Sequence, residues 1–341
     1  MSEALAAPFP YFGGKRRAAS RIWEALGDPS GYVEPFAGSA AVLLARPPFE
    51  GRRVETINDA DGWLINTWRA IQLSPEKVAT HAYGPVSEID YHARLAWLQE
   101  RRGPELVRVL EGDPEWHDAK AAAWWLYVAA CGIGDPWGGG PWRVIDGELV
   151  DSRQQCGPGN PSPLDAPGVN RELPHLGDAG RGIHRALPHL GDAGRDDCRL
   201  AAYMTALSTR LARVRITCGS WERVLKPSVL RAKAQGDGSI GILLDPPYTT
   251  SSDLYAAGGE GVSHATRLWC LSAAEDLRIV LCGYDNEHDE LISHGWTVIE
   301  GKSGGGAGYS TRRDNGRRER LWLSPACLDD GQQLDIFGGV A

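Results

Sequence analysis

Gly241-Ile242-Leu243-Leu244-Asp245-Pro246-Pro247-Tyr248 is the stretch whose reading decides the fold. An uncharged apolar run passes directly into an acid, two prolines and an aromatic, the pattern of a buried strand that ends in a stiff loop. Strand ends of this kind are where α/β sheets bind their ligands. Taken alone, the tetrapeptide Asp245–Tyr248 is also compatible with a plain turn.

Working upstream, Ile216-Thr217-Cys218-Gly219-Ser220-Trp221 reads as a second strand end, with Trp221 either an apolar wall of a site or ordinary core. Downstream, Thr249–Val262 is polar and glycine-bearing, with Tyr255 its notable aromatic. The chain then alternates as helix (Ala265–Asp276), strand (Leu277–Gly283), short helix (Asp289–His294) and strand (Trp296–Glu300). A Gly- and Arg-rich loop (Lys302–Arg320) leads to a last strand at Arg320–Ser324, expected to lie antiparallel to its neighbour.

The N-terminal part supplies the complementary pieces. Pro8–Lys15 is an aromatic, proline-punctuated segment closing on Gly13-Gly14-Lys15, ahead of a helix at Ala18–Leu26. Paired glycines admit close backbone approach by a ligand, and a helix start favours negative charge. Gly31–Val42 reads as strand, small-residue turn and helix, the first unit of a nucleotide-type fold. Arg53–Ile57 is the next strand, ending at Asn58-Asp59. An acid there is placed to accept from ribose hydroxyls, and it is equally a candidate N-cap for a helix at Trp63–Ile71.

Composition bounds the possibilities. The 341 residues suffice for one large domain or two ordinary ones, and 42% apolar with 23% charged residues is a globular composition. No run approaches the roughly 18 apolar residues of a membrane span, and the start lacks a secretory signal, so a cytoplasmic protein without membrane contact is expected. The seven cysteines contain no Cys-x-x-Cys pair and read as reduced thiols rather than a zinc framework; no metal is expected. A net charge of −8 does not mark a nucleic-acid binder. Basic residues nevertheless cluster at Lys15-Arg16-Arg17 and at Arg312, Arg313, Arg317, Arg318 and Arg320, either as phosphate contacts or as solvated faces.

The order of these pieces resembles the Dam-type (D12 class, alpha group) N6-adenine-specific DNA methyltransferases of phages and bacteria. The resemblance covers about Pro8–Gln72 and Arg215–Pro325 and is weak between them. It implies a Rossmann-like α/β fold built from both ends of the chain and S-adenosylmethionine (AdoMet) as cofactor. The expected division is residues 1–75 and 201–326 for the catalytic domain, 76–200 for an inserted target-recognition domain, and 327–341 for a tail. Carried over by position, Tyr11, Lys15, Glu34, Phe36, Gly38, Asp59, Ser220, Trp221 and Asp245 would contact AdoMet. Asp245, Pro246, Pro247 and Tyr248 would be catalytic. Where the family often has glycine this chain has Ala40, which implies a tightened site.

The residues suit that chemistry. An exocyclic amine is a poor nucleophile because its lone pair is delocalised into the ring. Two acceptors on its hydrogens, the Asp245 carboxylate and the Pro246 carbonyl, draw it toward tetrahedral geometry. The prolines hold that carbonyl still, and Tyr248 offers a stacking face to an extruded base. The expected activity is methyl transfer to N6 of a flipped adenine in double-stranded DNA by a monomer or weak dimer. The alternatives are N4-cytosine methylation, guanine N2 methylation in ribosomal RNA, or a catalytically silent DNA-binding or anti-restriction protein.

The middle of the chain is the least family-like. Val78–Glu111 and Glu115–Ala130 read as helices, with Trp97, Trp116, Trp124 and Trp125 packing a small bundle. Arg143–Val150 reads as a hairpin with an Asp-Gly turn, and Arg143 is a candidate DNA contact. Gly168–Arg181 recurs as Gly182–Arg195, presenting Arg171, Arg181, Arg185, Arg195, His175 and His189 either to DNA or as a tolerated duplication. Finally, Gln333-Leu334-Asp335-Ile336-Phe337 resembles the peptide by which bacterial DNA enzymes bind the sliding clamp; docking on its own domain is the alternative.

Overall fold

A computed structural model describes residues 5–9, 11, 14–49, 51–84, 86–131, 142–145, 148–151, 197–231, 238–247, 261–300 and 318–328. The expectations for Tyr248, Tyr255, the repeat residues, Arg312, Arg313, Arg317 and the Gln333–Phe337 peptide lie outside these residues, as does the side chain of Arg143.

In chain order the elements are α1 (Ala19–Leu26), β1 (Gly31–Glu34), α2 (Ala41–Leu44), β2 (Val54–Asp59) and α3 (Gly62–Leu73). Four helices follow, α4 (Pro75–Ala82), α5 (Glu88–Glu100), α6 (Pro104–Gly112) and α7 (Ala119–Cys131), and then the hairpin of β3 (Trp142–Ile145) and β4 (Glu148–Asp151). The C-terminal part contains α8 (Asp197–Leu211), β5 (Val214–Cys218), α9 (Pro227–Arg231), β6 (Ile240–Leu244), α10 (Val262–Ser272), β7 (Arg278–Tyr284), β8 (Thr297–Glu300) and β9 (Glu319–Leu323).

Seven strands form one sheet in the order β5-β2-β1-β6-β7-β9-β8. The first five are mutually parallel, and β9 runs antiparallel to both β7 and β8, as the sequence led one to expect for the last strand. Every residue of β1 and β6 is buried, which explains the unbroken apolar reading: a parallel strand covered on both faces has no polar side. Along β6 the side chains alternate between two cores. Leu243 joins the cluster built with Tyr32, Val280 and Cys282, whereas Ile242 and Leu244 join the one built with Val33, Ile279 and Leu281.

The helices α3, α4, α7 and α8 share the first of these cores. Trp97 and Trp124 meet edge to face at 5.2 Å, but Trp125 turns away to pack on Phe9 at 4.7 Å. All four tryptophans pack in or against the same core, Trp125 within it and Trp97, Trp116 and Trp124 at its margin. β3 and β4 pair antiparallel from Trp142↔Asp151 to Ile145↔Glu148, the hairpin read from the sequence.

Parallel strands that connect to opposite sides leave a crevice where the order reverses. Here it lies between β1 and β6, which pair through Gly31↔Ile240, Tyr32↔Gly241 and Val33↔Ile242. The site is built at the carboxyl ends of these two strands.

Candidate active site

β1 delivers Glu34, and the turn after it delivers Phe36 and Gly38. Asn58, at the end of β2, fixes this turn. Its buried side-chain amide donates to the Pro35 carbonyl (3.1 Å) and to the Gly219 carbonyl (3.0 Å), while its oxygen accepts from the Thr217 hydroxyl (3.0 Å). One amide thus ties the carboxyl ends of β1 and β5 to that of β2. As a result Phe36 and Trp221 face each other, ring centroids 5.9 Å apart and planes at 32°. Trp221 is half-buried and forms an aromatic wall with Phe36; Ser220 beside it donates to Glu222 (2.9 Å).

Gly38 is required by geometry. Its φ is +47°, and a Cβ there would stand 2.5 Å from Cε1 of Tyr11. The Tyr11 ring lies directly over this backbone, supported edge-on by Phe9 at 6.3 Å. Gly38 N–H donates to Asp59 Oδ2 (3.0 Å), and its carbonyl accepts from the Trp68 indole (3.0 Å).

Asp59 is not the N-cap of α3. That role falls to Asp61, whose Oδ1 accepts from the Trp63 and Leu64 amides and whose Oδ2 pairs with Arg102 at 2.7 Å. Asp59 instead accepts from the Asp61 amide (3.0 Å) and the Gly38 amide, one on each oxygen. Burial pushes its carboxyl up to about 6, the backbone donors of Asp61, Gly38 and Ala60 opposing that shift and the nearby Asp61 charge adding to it. Glu34 is buried more completely and is pushed up to about 7, although the Tyr32 hydroxyl (2.6 Å) and the Leu43 amide (2.7 Å) both donate to it.

Ala40 takes a left-handed conformation (φ 47°, ψ 30°), the one glycine adopts without cost, and its methyl is fully buried in the core. The expected tightening of the site is corrected: the methyl points into the core and the cavity is lined by Ser39 and Ala41 on either side of it. The departure from glycine is carried as backbone strain.

At the end of β6, Asp245 meets Lys15. The Lys15 Nζ lies 2.9 Å from Asp245 Oδ1 and 3.8 Å from Glu319 Oε1, and the lysine side chain is only 5% exposed. Burial alone would depress the ammonium, but the negative charge of Asp245, with Glu319 adding, outweighs it and holds the group above its ordinary value. Lys15 follows Gly14, whose amide donates to the Tyr11 carbonyl (3.2 Å). Gly14 and Lys15 are thereby folded onto the sheet's carboxyl edge.

These parts enclose one cavity of about 300 Å³. Tyr11, Lys15, Glu34, Phe36, Gly38, Asp59, Ser220, Trp221 and Asp245, drawn from both ends of the chain, all line it. Pro247 lines it as well, and Asp61 is a lining acid that the sequence reading passed over. Glu319 was also missed: it sits inside an arginine-rich run and its meeting with Lys15 has no local signal. Arg318, read as a phosphate contact, is held by Asp285 (2.7 Å) over the Tyr284 ring. No group of metal-binding side chains occurs among the described residues, and no helix among them is long and apolar enough to cross a membrane.

The seven-stranded α/β sheet with its single antiparallel strand β9 and its cavity at the switch point defines a Rossmann-like methyltransferase fold. Residues 11–87 match the family model of the D12 class N6 adenine-specific DNA methyltransferases. That stretch contains Tyr11, Lys15, Glu34, Phe36, Gly38 and Asp59; Asp245 lies beyond it. No curated protein matches the chain significantly.

Proposed function

We propose that this protein methylates N6 of adenine in double-stranded DNA, with AdoMet as methyl donor. The observation that carries the reading is the joining of the Lys15–Asp245 pair, the Phe36–Trp221 wall and the Asp59 carboxylate in one cavity at the switch point.

The chemistry of the lining fits AdoMet. Asp59 keeps acceptor capacity beyond its backbone donors for ribose hydroxyls. Phe36 and Trp221 form an apolar wall for an adenine ring, and Glu34 and Asp245 supply the negative charge that suits a sulfonium. When bound, AdoMet supplies a methyl group already activated by the positive sulfur, so no strong base is needed before transfer.

The chain's own contribution is alignment and polarisation. Asp245 and the carbonyl of Pro246 accept from the two hydrogens of the adenine amine and draw its lone pair out of the ring. Asp245 also stabilises the positive charge that develops on the nitrogen as the new bond forms. Tyr248 follows as the stacking face for the extruded base, and Arg143, the repeat arginines and the Arg312–Arg318 group as the contacts that grip the duplex. The division into catalytic and target-recognition parts and the clamp-binding tail belong to the same reading.

The test is methylation of DNA by the purified protein with labelled AdoMet, followed by base analysis. 6-Methyladenine formed by the wild type and lost in Asp245→Asn supports the reading. Methylcytosine, methylation of RNA alone, or no product overturns it.

A further inference from the structure

Glu319 opens β9, and its place follows from topology. Because β9 is antiparallel to β7, its first residue lies opposite the last one of β7, through the pair Tyr284↔Glu319. An acid on a parallel strand would need to end that strand to reach the carboxyl edge; Glu319 reaches it by starting one. It arrives 3.8 Å from Lys15 Nζ, which also makes the 2.9 Å contact with Asp245. The separation is that of an ion pair, longer than a hydrogen bond.

Two acids therefore share one buried ammonium. Burial raises the Glu319 carboxyl and the Lys15 charge opposes that shift. The neighbouring Arg318 is engaged by Asp285. A second acid in a half-buried site that already holds Asp245 is costly, and a neutral residue would cost the fold less. The arrangement has a use in the reaction. With Lys15 alone, Asp245 would sit in a closed neutral pair, its charge drawn toward the ammonium. With Glu319 present the group carries a net negative charge, and Asp245 keeps acceptor strength for the amine hydrogens. The second attraction also fixes the direction in which the ammonium donates.

We propose that Glu319 is a positioning residue for methyl transfer, acting through Lys15 to set the orientation and the acceptor strength of the Asp245 carboxylate. The inference rests on the methyltransferase reading above.

The experiment compares wild type, Glu319→Gln and Glu319→Asp in steady-state methylation of duplex DNA, with Lys15→Gln and the Lys15→Gln/Glu319→Gln pair completing a cycle. Glu319→Gln is expected to lower kcat about tenfold, with KM for AdoMet and for DNA within about twofold of wild type. Glu319→Asp should recover part of the loss, and Glu319→Gln should cost nothing further once Lys15 is replaced. An unchanged kcat in Glu319→Gln overturns the proposal. So does a rise in both KM values with a fall in melting temperature, or a full additional loss in the Lys15→Gln background. Absence of 6-methyladenine from the wild type overturns the underlying reading instead, so the two failures are distinct.

Discussion

Lys15 Nζ and Asp245 Oδ1 are 2.9 Å apart, although one residue precedes the first strand of the sheet and the other follows β6, far along the chain. Each holds the other in place, and the two do not lose equally when one is changed. Lys15→Gln leaves Asp245 and Glu319 facing each other without the Lys15 charge. Asp245→Asn leaves Lys15 beside Glu319. Lys15→Gln should therefore destabilise the protein by about 1–3 kcal/mol and Asp245→Asn by less, while Asp245→Asn should lower kcat by about 10²-fold or more. Urea unfolding and methylation kinetics on the two variants check both orders.

Acidity should separate cofactor affinity from fold stability. Asp59 has a folded value of about 6 against an ordinary 3.8, so it is protonated as pH falls through 6 and no longer accepts from two hydroxyls. AdoMet affinity should fall over that range, Glu34 adding a loss of the same sign near its value of about 7. The apo fold responds oppositely: a raised folded value contributes stability that is present below about pH 4 and is lost as pH rises through 6. Calorimetric titration of AdoMet from pH 5 to 8 should show the loss, and Asp59→Asn should remove the portion centred near 6.

Gly38→Ala introduces two faults at once. Its Cβ collides with the Tyr11 ring, and φ of +47° is unfavourable for alanine. The expected cost is about 1–3 kcal/mol of stability, with AdoMet binding weakened at least about tenfold as Tyr11 is pushed across the cavity. Denaturant melts and binding titrations measure the two parts. Binding equal to wild type would mean that Tyr11 does not contact the cofactor.

Asn58→Ala removes the amide that links the Pro35 and Gly219 carbonyls, leaving two buried acceptors without that donor. A loss of about 1–3 kcal/mol is expected. Because Phe36 and Trp221 lie just beyond the two linked carbonyls, cofactor binding should weaken while Asp245 and Lys15 remain paired. Calorimetric titration of AdoMet measures the weakening.

The parallel sheet and most of the site were legible because they rest on local pattern. A doubly covered strand must be apolar throughout, as Ile240–Leu244 is, and the acid or aromatic at its end is then exposed to a ligand. Features set by meetings across the chain were not legible. Two aspartates two residues apart have the same capping preference, and only the path of the chain assigns the cap to Asp61 and the cavity to Asp59. The left-handed conformation of Ala40 contradicts its residue preference, so the family difference was read as a matter of space when it is one of backbone. Trp125 joins the core with the other tryptophans, but its contact with Phe9, far away in the chain, has no local signal.

The pairing of β1 with β6 has a consequence for the order of synthesis. Until Ile240–Leu244 leaves the ribosome, β1 has a partner only in β2, and its other edge, four buried residues with open backbone groups, faces the cell. At a translation rate of about 5–20 residues per second, that interval lasts on the order of ten to forty seconds. The nascent chain thus carries a bare strand edge and no Lys15–Asp245 pair for most of its time on the ribosome. The same late strand that covers the edge of β1 brings Asp245 to Lys15, and it exposes an edge of its own until Arg278–Tyr284 is made.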